Sequence, residues 1–196
     1  MTTKSVRPRG RPRGFDPDEA VATAQRLFHA RGYDAVSVSD VTEALGINPP
    51  SFYAAFDNKM GLYSRVLDRY GETSAIPLPE LLRPDRGVAE SLAAVLEEAA
   101  SRYAADGEAC GCLVLAGVQA DDPDARTAAR AARAAAEEKL HRYIADRHPE
   151  KADRLTDFVS TTMAGLSDSA RYGHGLDRLL ATARLAGMAL AQALPE

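Results

Sequence analysis

The chain has 196 residues, of which 45% are hydrophobic, 27% charged and 6% aromatic, with a formal net charge of −4. This suffices for one domain of ordinary size, or a small domain and a larger one, with a core that needs no disulfide or metal to hold it; abundant alanine and scarce β-branched runs point to an all-α fold. The longest uncharged stretch, Ala44 to Phe56, contains two prolines and falls short of the roughly 18 apolar residues of a spanning helix, and no apolar segment follows the N-terminal arginines, so no membrane partner and no secretion signal are expected and the protein reads as cytoplasmic.

The chain opens on RPRGRPRG, residues 7–14. Residues 1–14 hold five basic residues, among them Arg7, Arg9, Arg11 and Arg13, and no acid, whereas residues 71–196 hold 14 basic and 20 acidic residues. A basic end on an acidic body suggests that a polyanion is bound at one end only. Residues 1–14 read as a disordered basic arm.

Asp16-Pro17-Asp18-Glu19 then supplies a capping acid, a proline at the first helical position and acids in the first turn. Ala20, Val21, Ala24, Leu27 and Phe28 follow at helical spacing, and Gly32 is a natural stop. Ser37 starts a second helix, with Asp40 three residues on to complete a capping box, and Gly46 ends it. Asn48-Pro49-Pro50 recaps a third helix at once, about Pro49 to Phe56, in which Phe52 and Phe56 share a buried face and Ser51, Tyr53, Ala54 and Ala55 are left outside. Asp57-Asn58 starts a fourth helix from Lys59 to about Tyr70.

Pro77, Pro79 and Pro84 mark a boundary, so the divisions are 1–14, 15–70 and 71–196. Five further helices are predicted at about 87–105, 110–120, 123–147, 150–172 and 175–193, about nine in all. Arg126, Arg130 and Arg133 read as a solvated stripe paired with Glu137. Cys110 and Cys112 are too close for a useful structural disulfide and fall at a predicted helix start, which would suit an oxidant or electrophile sensor; small buried apolar residues are the plainer reading. His29, His141, His148 and His174 are scattered, so no metal and no cofactor are expected. No phosphate loop, catalytic triad context or HExxH motif points to an enzyme.

Two short helices around a glycine turn, flanked by helices, form the layout of a helix-turn-helix, whose second helix enters the major groove. The run VSVSDVTEALGINPPSFYAAFDNKMGLY, residues 36–63, resembles the DNA-binding domain of the TetR family of bacterial transcriptional regulators, in Ser37, Ala44, Gly46, Ile47, Asn48, Phe52-Tyr53-Ala54-Ala55-Phe56, Lys59 and Leu62-Tyr63. The likeness extends back through Ala24–Phe28 and Gly32-Tyr33, covering about residues 15–70. It implies an N-terminal three-helix helix-turn-helix domain joined to a larger helical-bundle domain for effector binding and dimerisation, and hence a homodimeric, ligand-responsive regulator of double-stranded operator DNA, a repressor.

Roles carry over residue by residue. Tyr53, Lys59, Ser51 and Thr42 would reach phosphates, and Ser37 would act first as a cap and second as a phosphate donor. Asn48, Pro49, Pro50 and Ala54 would lie against the DNA, but the prolines and alanines can only touch thymine methyls, so few hydrogen bonds to bases are expected. The arginine arm would compensate by reading a narrow minor groove, as homeodomain arms do, or would add only non-specific phosphate attraction; the rival readings of the whole chain are a minor-groove architectural protein and a protein–protein adaptor built on a helical bundle. The resemblance also places the dimer contact on about 150–172 and 175–193, whose apolar positions include Leu155, Phe158, Val159, Met163, Leu166, Leu179, Leu180, Ala183, Ala186, Gly187 and Leu190; the alternative is that they form the protomer's own core, a reading that serves Leu155 and Phe158 equally well. It puts an effector pocket among the middle helices, with Tyr103, Val114, Leu115, Val118, Tyr143, Met163 and Tyr172 as candidates, for each of which plain core is the simpler reading.

Overall fold

A computed structural model describes residues 16–194, and the arm with Arg7, Arg9, Arg11 and Arg13 lies outside these described residues. Ten α-helices and no strand occur among them. They are α1 (Pro17–Arg31), α2 (Val38–Leu45), α3 (Pro49–Phe56), α4 (Lys59–Thr73), α5 (Leu78–Leu81), α6 (Val88–Tyr103), α7 (Leu113–Gly117), α8 (Pro123–Ala145), α9 (Ala152–Arg171) and α10 (Leu176–Ala193), with a 3-10 turn at Pro149–Lys151. The one-turn α5 is the addition to the nine predicted; it forms between the prolines of the boundary segment.

Local chemistry sets the helix starts. Asp16, Ser37, Asn48, Asn58 and Asp122 each accept a backbone N–H of the first turn through their side chains. The predicted helix at 110–120 is much shorter. Gly111 adopts φ +75, a left-handed conformation that interrupts a helix, so α7 begins only at Leu113. Cys112 is therefore a cap residue without a capping bond and Cys110 lies in the preceding loop, which removes the helix-start argument for Cys110.

Two apolar cores result. The first joins Phe28 of α1, Val41 of α2, Phe52 and Phe56 of α3 and Leu62, Tyr63 and Val66 of α4. It also takes in Leu113, Ala120 and Ala125 from beyond the boundary segment, so the helix-turn-helix rests on α7 and the start of α8. Burying each of the two phenylalanines of α3 contributes ~1.5–3 kcal/mol, more than the propensity of an eight-residue helix with two prolines can supply. The second core joins α6 with α8, α9 and α10 through Leu92, Leu96, Leu140, Val159, Leu166, Leu179 and Leu190.

Candidate nucleic-acid interface and cavity

α2 is fixed by a closed capping box. The Ser37 amide donates to Asp40 Oδ2 (2.7 Å), the Asp40 amide donates to Ser37 Oγ (3.1 Å), and Arg31 Nη1 donates to Asp40 Oδ1 (3.0 Å). The Ser37 hydroxyl and amide, then Arg31, hold the Asp40 carboxyl well below the usual carboxylate range. Gly46 follows at φ +63, and Ile47 donates to the Thr42 carbonyl (3.0 Å), closing the turn that sets α3 against α2.

Asn48 Oδ1 accepts both the Ser51 amide (3.0 Å) and the Ser51 hydroxyl (2.7 Å). Pro49 and Pro50 occupy the first helical positions, where an N–H would have no intrahelical acceptor. Phe52 and Phe56 face inward, and Pro49, Pro50, Ser51, Tyr53 and Ala54 are exposed. Tyr53, 49% exposed, carries the phenol that projects from this face. With the Ser51 hydroxyl committed to the cap, α3 presents apolar atoms, the Tyr53 hydroxyl and the Asn48 amide.

Two predicted phosphate contacts sit differently from expectation. Thr42 is buried, and its hydroxyl donates to the Ser39 carbonyl (3.0 Å); it belongs to the packed side of α2, not to the outer surface. Lys59 opens α4 as expected, but its ammonium lies 3.9 Å from the centroid of the Tyr33 ring. Desolvation there lowers its pKa, partly offset by Asp34 and Asp122. This cluster joins the helix-turn-helix to α8. Asp34, in the turn after α1, accepts the amides of Asp121 (2.8 Å) and Asp122 (3.3 Å), and burial pushes Tyr33 up to about 12.

A cavity of about 610 Å³ lies where α4 meets the second core. Of the predicted effector contacts, Tyr103, Val114, Leu115 and Met163 line it. Three do not. Val118 packs at the end of α7; the Tyr143 hydroxyl donates to the Arg83 carbonyl (2.9 Å) and lies 2.8 Å from Ser91 Oγ, outside the cavity; Tyr172 is 79% exposed. Sequence reasoning missed Leu67 and Tyr70 of α4, Cys112 as a wall residue and Ser160 of α9. Tyr70 was visible only as the end of the stripe Leu62, Val66, Tyr70, which reads as core. The Ser160 hydroxyl is buried without a hydrogen-bond partner.

The assigned dimer positions also separate. Leu155, Val159, Leu166, Leu179, Ala183, Ala186 and Leu190 are buried inside the protomer, and Gly187 faces Ala93 of α6. α6 covers that side of α10. Phe158 remains exposed, together with Leu176, Leu185 (67%) and Met188 (70%), which the sequence did not single out. Among the described residues no helix is long and apolar enough to cross a membrane.

A helix-turn-helix with a capped, outward-facing second helix, carried on a helical bundle, defines a DNA-binding regulator. Residues 20–66 match the profile of bacterial regulatory proteins of the tetR family. Over the full length of both chains, the protein is 53% identical to the HTH-type transcriptional repressor BdcR of Escherichia coli (strain K12). It is 32% identical over 183 residues to the HTH-type transcriptional repressor ComR of the same organism, covering 88% of this chain and 87% of that one. The solved structure of a cysteine mutant of the TetR family regulator CifR, complexed with 26-bp double-strand operator DNA, superposes with a TM-score of 0.81 at 33% identity, over 91% of this chain and 99% of that one. The chain belongs to the TetR family of bacterial transcriptional regulators, which are not enzymes; of the relatives above, BdcR and ComR are repressors.

Proposed function

We propose that the protein is a homodimeric repressor whose two α3 helices enter successive major grooves of a palindromic operator, and that a small molecule in the cavity releases it. One observation carries the reading. α4 bears Lys59 at its start, directly after α3, and Leu67 and Tyr70 of the same helix line the cavity. A ligand that favours a different placement of α4 therefore favours a different spacing of the recognition helices. The uncovered apolar residues of α9 and α10 supply the contact with a second copy, and no cofactor is required. The apolar outer face of α3 supports recognition by methyl contacts and DNA shape, with Arg7, Arg9, Arg11 and Arg13 in a flanking minor groove.

The test is a footprint on DNA flanking the protein's own gene, with full-length protein and a variant lacking residues 1–14. Protection of two half-sites about 34–36 Å apart is expected. The truncated variant should lose affinity mainly at A·T-flanked sites. Protection without two-fold symmetry, or none at all, would overturn the reading.

A further inference from the structure

The Lys59 ammonium is held on the protein rather than pointed free. It lies 3.9 Å from the centroid of the Tyr33 ring, and that ring is fixed in turn: it stacks on Phe28 (5.7 Å between centroids) and meets the Tyr63 ring edge-on (4.8 Å). Asp34, the next residue, accepts the amides of Asp121 and Asp122, which brings the start of α8 and its capping carboxylate, Asp122, up to the same cluster. Burial works against the ammonium's charge, and Asp34 and Asp122 are the first carboxylates that offset it; Asp40 follows, already paired with Arg31 (3.0 Å). The start of α4 is pinned by Asn58 Oδ1 on the Gly61 amide (2.8 Å), so the stem of Lys59 can swing while its backbone stays. A ring face grips an ammonium without directed bonds, and a phosphate oxygen, which accepts a charge-assisted hydrogen bond, is the stronger partner.

We propose that Asp34 and Asp122 restrain operator affinity: with the Tyr33 ring they hold Lys59 in the free protein, and the operator must draw the ammonium off this cluster to seat it on a phosphate. This rests on the reading of the protein as an operator-binding regulator. The contact of Lys59 with DNA is thus an exchange, one cation serving two anionic partners. In the complex the carboxylates lose a counter-charge and face the phosphates as like charges. Asp122 is the sharper of the two, because it caps α8, whose later turns wall the cavity. Its charge can be removed without disturbing the helix start: Oδ1 alone accepts the amides of Asp124 (2.9 Å) and Ala125 (3.0 Å), so an asparagine keeps both capping bonds. Asp34 lacks that option, since it uses Oδ2 for Asp121 and Oδ1 for Asp122.

The experiment measures the Kd of the full-length protein for a DNA fragment it protects, at several salt concentrations, in wild type, D122N, K59Q, D122N/K59Q and D124N. No DNA binding by wild type would sink the regulator reading and the proposal with it; with binding established, the cycle judges the proposal alone. D122N should bind about two- to fivefold more tightly at low salt, the scale of a half-exposed ion pair, with the gain shrinking as salt rises and the melting temperature unchanged. K59Q should bind more weakly, and its log Kd should depend on log salt less steeply by about two, one phosphate lost per protomer of a dimer. D122N should gain nothing in the K59Q background. D124N, which neutralises an exposed acid of the same turn, should gain less than D122N. No gain from D122N, an equal gain with and without Lys59, an equal gain from D124N, or an unchanged salt slope in K59Q would overturn the proposal.

Discussion

Truncating the uncovered face of α10 should separate the two copies without unfolding either. In Leu185→Ala/Met188→Ala, the side chains removed are 67% and 70% exposed in the protomer, so their contribution to the protomer's own core is small. Full burial of a Leu or Met side chain contributes ~1.5–3 kcal/mol, so covering the exposed two thirds contributes ~1–2 kcal/mol each. A two-fold interface uses each residue twice, giving four side chains and roughly 4–8 kcal/mol per dimer. At about 1.4 kcal/mol per decade, the dimer dissociation constant should weaken by at least about a thousandfold. Sedimentation equilibrium across a concentration series reads this directly, with thermal unfolding as the control for the fold. Operator affinity should fall in step, because one recognition helix alone forfeits the second half-site. A double variant with an unchanged dimer constant would refute the assignment of this face. A variant that unfolds more than about 10 °C earlier would refute the claim that these side chains are peripheral to the protomer.

Asn48 is assigned as a cap through its two bonds from Ser51; Asn48→Ser should keep both stability and operator affinity, whereas Asn48→Ala should lose about 1 kcal/mol in urea unfolding. If Asn48→Ser lost affinity at full stability, the amide would be reading DNA. Gly117→Ala would drive a methyl into the Tyr63 hydroxyl and to 2.8 Å from the Ala129 Cβ, at the junction of α4, α7 and α8, and should destabilise by ~1–3 kcal/mol in the same assay. His29 carries the pH dependence. Burial, first, pushes its imidazole below its ordinary 6.5, so the unfolded chain binds the proton more readily than the fold. Stability from this group is therefore complete above about pH 6.5 and declines as pH falls below it. His29→Gln should flatten that decline when melting temperatures are compared at about pH 5.5 and about pH 7.5.

The helix starts were legible because capping is local. Asp16, Ser37, Asn48, Asn58 and Asp122 reach amides two or three residues ahead, and a sequence shows that spacing directly. The outward set on α3 followed from Phe52 and Phe56 being four apart. What stayed hidden depends on which neighbour covers which side. α10 is apolar around most of its girth, so only the placement of α6 against Leu179, Ala183 and Leu190 reveals that Leu185 and Met188 are left over. Tyr143 and Tyr103 look alike in sequence; only the fold sends one hydroxyl to Ser91 and sets the other residue in the cavity wall. The late start of α7 turns on the φ of Gly111, and a glycine between two cysteines does not announce its sign.

The way the first core is completed argues for coupling by rigid elements. A helix-turn-helix on a flexible tether would have its own closed core and would swing without cost. Here Leu113, Ala120 and Ala125 fill the base of that core, and Asp34 holds the amides of Asp121 and Asp122 just before α8. α8 then runs to the cavity, where Ala132, Ala136 and Leu140 form part of the wall. α4, about 22 Å long at its fifteen residues, runs the other way, from Lys59 to Tyr70 at the same wall. Two helices thus span the distance between recognition helix and cavity, each clamped by buried contacts at the DNA-binding end. A change at the wall has no soft joint in which to dissipate, and close-packed interiors transmit such strain. A ligand in the cavity would have three routes to the helix-turn-helix, α4, α8 and the Gly111–His29 contact; Gly117→Ala loads the first two together and His29→Gln breaks the third.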